Sequence, residues 1–152
     1  MTDKKLRIIL VDDHAVVRTG YRILLENDPT LEVIAELESG EEANQQAREL
    51  NPDIMVMDLS MPGMGGLEAI RRIKAKNPEI NILVFTMHDN VSFVEHAMDA
   101  GASGYITKNN APNVLIQAVH KIASGEKYIE PALKEKMNVQ HKLGKGSALS
   151  DL

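Results

Sequence analysis

The chain contains 152 residues, of which 43% are hydrophobic and 26% are charged, and its formal net charge is -5 at pH 7. This is enough material for one domain with a real core and a tail, and the absence of cysteine excludes disulfides, zinc-thiolate sites and thiol catalysis. The acidic excess of residues 1–126 argues against direct nucleic-acid binding by this part, because phosphate groups would be repelled, whereas the weakly basic residues 127–152 are expected to form a solvated connector.

Along the chain, short apolar runs alternate with segments whose apolar residues recur at helical spacing. This pattern predicts an α/β fold in which a doubly wound sheet of five parallel strands is covered by helices on both faces. The strands are predicted at residues 6–11, 31–37, 53–57, 81–85 and 103–107. Five helices are predicted from apolar faces that include Val17 and Tyr21, Ala43 and Ala47, Ile70 and Ile73, residues of the segment 90–100, and Leu115 and Ile122.

The two ends of the chain carry further signals. The sequence MTDKKLRIILVDDH has an apolar run too short for a signal peptide or a membrane span, so we expect a cytoplasmic protein without a membrane partner. Pro131 is placed to open a short sixth helix, and LGKGSALSDL has the composition of a linker. We therefore predict one domain over residues 1–126, followed by a short helix and linker over residues 127–152.

Polar side chains stand at the carboxyl ends of the predicted strands, which is the edge where doubly wound sheets bind ligands. They are Asp12 and Asp13 after the first strand, Asp58 after the third, Thr86 at the fourth, and Thr107 and Lys108 at the fifth. Because these strands are expected in the middle of the sheet, their end residues should converge on one small area.

Three carboxylates in one area repel one another unless they share a divalent cation, and an all-oxygen site suits Mg²⁺. With a lysine and a threonine hydroxyl, such a cation would form a cradle for a phosphoryl group. Asp58 would then be the nucleophile that receives this group as an acyl phosphate.

Ordinary structural explanations also exist for these residues. Asp12 and Asp13 would cap the first helix, Asp58 would be a turn residue, and Thr107 and Tyr105 would serve packing. Three functions therefore stay open: a phosphorylation switch, a small phosphatase of related topology, and a flavodoxin-like binding module. A haloacid-dehalogenase-type phosphatase would need its first two aspartates two positions apart, whereas here they are adjacent, and a flavin site would need aromatic loops, whereas only 3% of residues are aromatic.

Four motifs taken together resemble the receiver domain of bacterial two-component response regulators: VDDH, MDLSMPGMGGLEAI, FTMHD and ASGYITK, in this order. The resemblance extends from about Lys5 to Ser124 and implies a flavodoxin-like receiver with strand order 2-1-3-4-5. TMHD, GASGYITK and SGEKYIEPAL are similar to the NarL/FixJ subfamily, which has a LuxR-type output. In that subfamily a linker leads into a helix-turn-helix DNA-binding domain, so the resemblance implies that this chain stops at Leu152, before such a domain.

The resemblance implies a metal-dependent phosphorylation. Asp58 would be the phosphoacceptor, taking phosphate from a sensor histidine kinase. Asp13, Asp58 and the backbone carbonyl of Ser60 would bind Mg²⁺, or Mn²⁺ as an alternative, and Asp12 would bind it through water or hydrogen bonds.

The resemblance further implies a switch rather than an enzyme that turns over external substrates. Lys108 would pair with one phosphoryl oxygen, Thr86 would hydrogen-bond another, and Tyr105 would be the aromatic rotamer switch. The face made by the fourth helix, fifth strand and fifth helix would change its partner preference, with a homodimer as one outcome and DNA bound only through the missing output domain. We also hypothesise that Ser60 and His88, which flank the expected phosphoryl position, tune the hydrolysis of the acyl phosphate.

Overall fold

The computed structural model describes residues 4–61 and 63–140, and the predicted linker LGKGSALSDL lies outside them. Six strands form one parallel sheet: β1 (Leu6–Val11), β2 (Leu31–Leu37), β3 (Ile54–Met57), β4 (Asn81–Thr86), β5 (Gly104–Thr107) and β6 (Tyr128–Ile129). Their order across the sheet is β2-β1-β3-β4-β5-β6. The predicted α/β fold and the order of the first five strands are therefore confirmed.

The sixth strand corrects the expectation of a five-stranded sheet. Tyr128 and Ile129 of β6 pair in parallel with Gly104 and Tyr105 of β5. A strand of two residues is too short to produce an alternating apolar pattern, so its sequence gives no strand signal. Its existence depends on the tertiary contact with β5.

Helices cover both faces of the sheet. They are α1 (Ala15–Glu26), α2 (Gly40–Leu50), α3 (Gly66–Lys76), α4 (Val91–Ala100), α5 (Ala111–Ala123) and α6, a C-terminal helix over residues 131–140. Buried residues of α1 and α5 pack on one face, and those of α2, α3 and α4 pack on the other. β3 is buried along its whole length, which explains why its sequence is a continuous apolar run. None of the described helices is long and apolar enough to cross a membrane.

The predicted C-terminal helix is present and packs against the sheet on the side of α4. Leu133 is 2% exposed and belongs to the same hydrophobic cluster as Tyr105, and Met137 packs against that cluster. Lys136 Nζ lies 3.3 Å from Asp89 Oδ2, in the loop between β4 and α4. α6 is therefore attached both to the core and to a loop near the carboxyl edge of the sheet.

On the opposite side of the sheet, Asp28 ties the loop between α1 and β2 to α5. Its Oδ1 accepts hydrogen bonds from the backbone N–H of Thr30 at 2.9 Å and from Thr30 Oγ1 at 2.6 Å, and its Oδ2 lies 2.8 Å from His120 Nε2. The hydrogen bonds from Thr30, followed by the one from His120, lower the pKa of Asp28 from 3.8 to about 2. The charged carboxylate is therefore favoured in the folded state.

We expect Asp28→Asn to lower the free energy of unfolding at pH 7 by roughly 1 kcal/mol, a modest value because the site is partly exposed to solvent. The folded-state pKa is depressed, so this stabilisation is complete above the unfolded pKa and is lost as the pH falls from about 4 toward 2. Urea unfolding of both proteins at pH 7 and pH 3 measures the effect, with the exposed Asp99→Asn as the control. An equal difference between wild type and Asp28→Asn at both pH values would contradict this assignment.

Candidate functional site

The carboxyl ends of β1, β3 and β5 bring two aspartates and a lysine into direct contact. Lys108 Nζ lies 2.6 Å from Asp12 Oδ2 and 3.0 Å from Asp58 Oδ2. Asp12 and Asp58 are each only 3% exposed. Because an unpaired carboxylate is unfavourable inside a protein, the ammonium group of Lys108 is what allows both acids to be buried.

The backbone around Asp58 holds this residue in place. Its N–H donates to the carbonyl oxygen of Val11 at 3.0 Å, and its Oδ1 accepts from the N–H of Ser60 at 3.1 Å. Gly66, the first residue of α3, packs so closely that a Cβ there would lie 2.6 Å from the carbonyl oxygen of Asp58 and 2.7 Å from Leu59 Cα. The glycine therefore allows α3 to begin directly against the end of β3.

We expect Gly66→Ala to lower the free energy of unfolding by about 2 kcal/mol, because the added methyl group must displace the backbone of Asp58 or Leu59. Gly65→Ala is a matched control, since a Cβ at Gly65 would come no closer than 4.0 Å to the carbonyl oxygen of Leu59. Urea unfolding of the two variants measures the difference. Equal stability of the two variants would show that the close approach at Gly66 is not a real constraint.

Asp13 lies beside the buried cluster but nearer to solvent, with 29% of its side chain exposed. His14 Nδ1 lies 3.0 Å from Asp13 Oδ1 and 3.2 Å from Asp12 Oδ1, and ligand atoms of these three residues all lie within 4.8 Å of one another. With Asp58, three carboxylates share one lysine, which leaves an excess of negative charge. Carboxylate oxygens in such an arrangement fit a Mg²⁺ ion.

The environment of Lys108 keeps it charged. Burial by itself would lower the pKa of Lys108, but its hydrogen bonds to Asp12 and Asp58, together with their charges, raise that pKa above its usual value. The ammonium group also lies 5.3 Å from the centroid of the Phe85 ring, on its face. A protonated lysine is therefore held between two acids and an aromatic ring.

Thr86 is fully buried at the end of β4 and contacts the backbone of Lys108. Its carbonyl oxygen accepts from the N–H of Lys108 at 2.8 Å, and its Oγ1 accepts from the N–H of His88 at 3.5 Å. The second distance is at the limit of a hydrogen bond. Thr107 Oγ1 instead donates to Glu130 Oε1 at 3.0 Å, in agreement with its expected structural part.

Tyr105, the expected aromatic switch, is fully buried on β5. Its hydroxyl donates to the carbonyl oxygen of His88 at 2.7 Å. Burial, followed by the charges of Asp89 and Asp58, raises the pKa of Tyr105 far above its usual value, so the hydroxyl stays protonated. The side chain thus links the interior of the sheet to the loop between β4 and α4.

Ser60 and His88 meet at the rim of the site. Ser60 Oγ contacts His88 Nε2, and the His88 ring stacks on Phe93 with a centroid separation of 4.4 Å. Since the N–H of Ser60 also donates to Asp58 Oδ1, this pair connects the loop after β3 with the loop after β4 beside the buried acid.

The sequence analysis does not identify Arg18, which supports the turn that carries Asp12. Arg18 is buried, and its guanidinium group donates to the carbonyl oxygen of Asp12 and, at 3.4 Å, to Glu36 Oε1. A signal was available in the sequence, because Arg18 shares the apolar face of α1 with Tyr21 and Leu25. A charged residue on an apolar helix face indicates a buried partner.

Tyr21, Phe85 and Glu130 are further residues of the site region that the sequence patterns do not single out. The Tyr21 hydroxyl donates to the carbonyl oxygen of Lys108 at 3.4 Å, and the Tyr21 ring packs edge-on against Phe85 with a centroid separation of 4.4 Å. Glu130 is bonded to Thr107 from outside the first five strands. The apolar periodicity of α1 and β4 explains the two aromatic residues as core, and nothing local marks Glu130.

A doubly wound parallel sheet that gathers an acidic pocket, a further buried aspartate and a lysine at its carboxyl edge defines a class of α/β signalling domains. The chain belongs to the response regulator receiver domain family, whose profile matches residues 8–120. Receiver domains generally bind Mg²⁺ at an acidic pocket, which in this chain contains Asp12 and Asp13.

Named relatives and solved structures agree with this membership. The response regulator GacA of Pseudomonas protegens is 39% identical over 132 residues, covering 87% of this chain and 62% of GacA. A LuxR-family two-component response regulator from Aurantimonas sp. SI85-9A1 superposes with a TM-score of 0.88 at 43% identity, covering 91% of this chain and 99% of that one. A structure of the Salmonella typhimurium RcsB response regulator, described in terms of its DNA interaction, has a TM-score of 0.80 at 28% identity, covering 87% of this chain and 65% of that one. This chain thus spans about 62% of the length of GacA.

Proposed function

We propose that Asp58 is the residue through which this receiver domain accepts a phosphoryl group from a sensor histidine kinase. The observation that carries the proposal is the contact of Lys108 with both Asp12 and Asp58. It joins a nucleophilic carboxylate, an acidic metal pocket and a cation in a space with little water, which is the arrangement that phosphoryl transfer requires. The relatives that are named response regulators support the same class of reaction.

In the proposed step, a carboxylate oxygen of Asp58 attacks phosphorus while the bond from phosphorus to the donor histidine nitrogen breaks, and the electron pair returns to the histidine ring. Lys108 exchanges its contact with the Asp58 carboxylate for one with a phosphoryl oxygen. Asp12, Asp13, Asp58 and the carbonyl of Ser60 would hold Mg²⁺, or Mn²⁺ as an alternative, and the ion neutralises charge on the phosphoryl group when bound.

The phosphoryl group would then shift the loop between β4 and α4. Thr86 Oγ1 gives up a contact of 3.5 Å with His88 when it bonds a phosphoryl oxygen, so this exchange costs little. Tyr105 follows because its hydroxyl is bonded to the carbonyl of His88 in the same loop. A decisive shift between two states requires a differential stabilisation of about 5 kcal/mol, which a doubly charged group among a cation and hydrogen-bond donors can supply.

Intact-mass spectrometry before and after incubation with acetyl phosphate and Mg²⁺ tests the proposal. One added phosphoryl group is expected, and chelation of Mg²⁺ should suppress it. A flavodoxin-like binding module would show no added mass, and a phosphatase would release phosphate continuously without a stable label. Neither of these alternatives is supported by the relatives.

We also propose that the phosphorylated chain acts as a switch in the cytoplasm rather than as an enzyme on external substrates, and that phosphorylation favours a homodimer. Residues 127–152 would lead from the receiver, residues 1–126, to a DNA-binding output domain. Two findings support this output: the chain spans only part of its relatives' length, and those relatives include the transcriptional regulatory protein DegU of Brevibacillus brevis.

Ser60 and His88 are proposed to slow the hydrolysis of the acyl phosphate, because their contact occupies the rim where a water molecule would approach phosphorus. We expect the double variant Ser60→Ala with His88→Ala to shorten the lifetime of the phosphorylated form several-fold. Loss of the label, followed by intact mass after removal of acetyl phosphate, measures this lifetime, and the exposed His96→Ala is the control. An unchanged lifetime in the double variant would remove the pair from this role.

A further inference from the structure

Glu130 is a buried carboxylate that the proposed reaction does not use. It follows β6 directly, precedes α6 and is 3% exposed. Its Oε1 accepts from the N–H of Thr107 at 2.6 Å and from Thr107 Oγ1 at 3.0 Å, and its Oε2 accepts from Asn110 Nδ2 at 3.3 Å. Three neutral donors thus satisfy this carboxylate, and two of them belong to the residue before Lys108.

The hydrogen-bond register of β5 explains why a side chain is needed there. The N–H of Glu130 donates to the carbonyl oxygen of Tyr105 at 3.2 Å, and β6 ends at Ile129, so β6 has no backbone group left to accept the next outward-facing donor of β5. That donor is the N–H of Thr107, and the Glu130 carboxylate accepts it in place of a strand. On the other side of β5, the N–H of Lys108 donates to β4 through the carbonyl oxygen of Thr86 at 2.8 Å.

The peptide that leads into Lys108 is therefore held from both sides, by β4 and by Glu130. We propose that Glu130 is a positioning residue for Lys108: it holds the end of β5 so that the ammonium group reaches Asp12 and Asp58. This inference rests on the proposed function, because it concerns how readily the phosphoryl group is accepted. It also joins the site to α6, since the carbonyl oxygen of Glu130 accepts from the N–H groups of Leu133 and Lys134 at 3.0 and 3.1 Å.

The first experiment compares the rate of labelling by acetyl phosphate with Mg²⁺ in wild type, Glu130→Ala, Glu130→Asp and Glu130→Gln. Glu130→Ala and Glu130→Asp should be slowed about tenfold or more, because the first lacks an acceptor and the second is too short to reach the N–H of Thr107. Glu130→Gln should label at close to the wild-type rate, because its amide oxygen can still accept that bond. Glu126→Gln, an exposed glutamate before β6, is the matched control and should not differ from wild type.

A second measurement separates positioning from general loss of structure. If Glu130 acts through Lys108, then Glu130→Ala should cause no further slowing in a Lys108→Ala background. Mg²⁺ affinity, measured by titration calorimetry, should not be weaker in Glu130→Ala than in wild type, because the acidic residues stand on β1 and β3. Losses that multiply in the double variant, or a loss of Mg²⁺ affinity, would overturn the assignment.

The outcomes also separate this inference from the proposed function. A wild-type chain that accepts no phosphoryl group would overturn both. If wild type is labelled and Asp58→Asn is not, but Glu130→Ala and Glu130→Asp react at the wild-type rate, then the role of Glu130 alone is wrong. Should Glu130→Ala fail to fold, the comparison of Glu130→Asp with Glu130→Gln still decides, because a fast Asp variant with a slow Gln variant would contradict it.

Discussion

Asp58→Asn is expected to abolish labelling by acetyl phosphate and Mg²⁺ while the chain stays folded. The amide has nearly the shape of the carboxylate and can still accept hydrogen bonds from Ser60 and Lys108, but its oxygen is not a nucleophile that forms an acyl phosphate. Removing one of two buried negative charges beside a single lysine also leaves the cluster better balanced, so no loss of stability is expected.

Intact mass and urea unfolding measure these two expectations. The matched control is Asp53→Asn, which removes an aspartate just before the other end of β3, where Asp53 Oδ2 accepts from the N–H of Arg7 at 2.8 Å. This control should accept one phosphoryl group at the wild-type rate. Undiminished labelling of Asp58→Asn would remove Asp58 from its role as phosphoacceptor.

Lys108→Met is expected to produce the largest loss of stability among the site variants. Methionine has a similar length but no charge, so Asp12 and Asp58 would be left buried without their cation. In metal-free buffer the free energy of unfolding should fall by about 3 kcal/mol. The labelling rate should fall about 100-fold, because the donor for a phosphoryl oxygen is lost.

Urea unfolding with and without Mg²⁺ measures the stability change. Mg²⁺ should restore part of the loss in Lys108→Met, since an ion that binds the folded acidic pocket replaces the missing positive charge and shifts the equilibrium by mass action. Lys121→Met, on the exposed side of α5, is the control and should change little. If the two variants were equally stable in metal-free buffer, the contact of Lys108 with the two acids would not be what balances their burial.

The first five strands show which parts of the fold follow from local sequence. β1 and β2 have the bounds that the apolar runs predict, and β3, β4 and β5 differ from the predicted ranges by one residue at an end. These strands are buried on both faces by helices, so their sequences are continuous apolar runs that end sharply at polar residues. β6 has no such run and is stabilised by pairing with β5, and for this reason local sequence does not predict it.

The site shows a similar division. The sequence places Asp58 at the end of a buried strand and Lys108 at the end of another, and the topology of a doubly wound sheet brings such ends together. The sequence does not reveal that one ammonium group lies within hydrogen-bond distance of two carboxylates, because Lys108 is 96 residues from Asp12 and 50 from Asp58. Such contacts depend on strand register and side-chain rotamers rather than on periodicity.

The sequence by itself therefore determined the α/β class, the approximate bounds of five strands and the residues that stand at their carboxyl ends, because local apolar periodicity and chain topology are enough for these. Only the tertiary structure decided which groups hold those residues: Arg18 beneath Asp12, the hydroxyl of Tyr105 on the carbonyl of His88, and Glu130 on the end of β5. Each of these is a hydrogen bond between a side chain and a backbone group elsewhere in the fold. Its formation requires both partners to be fixed in space first, so no pattern along the chain reports it.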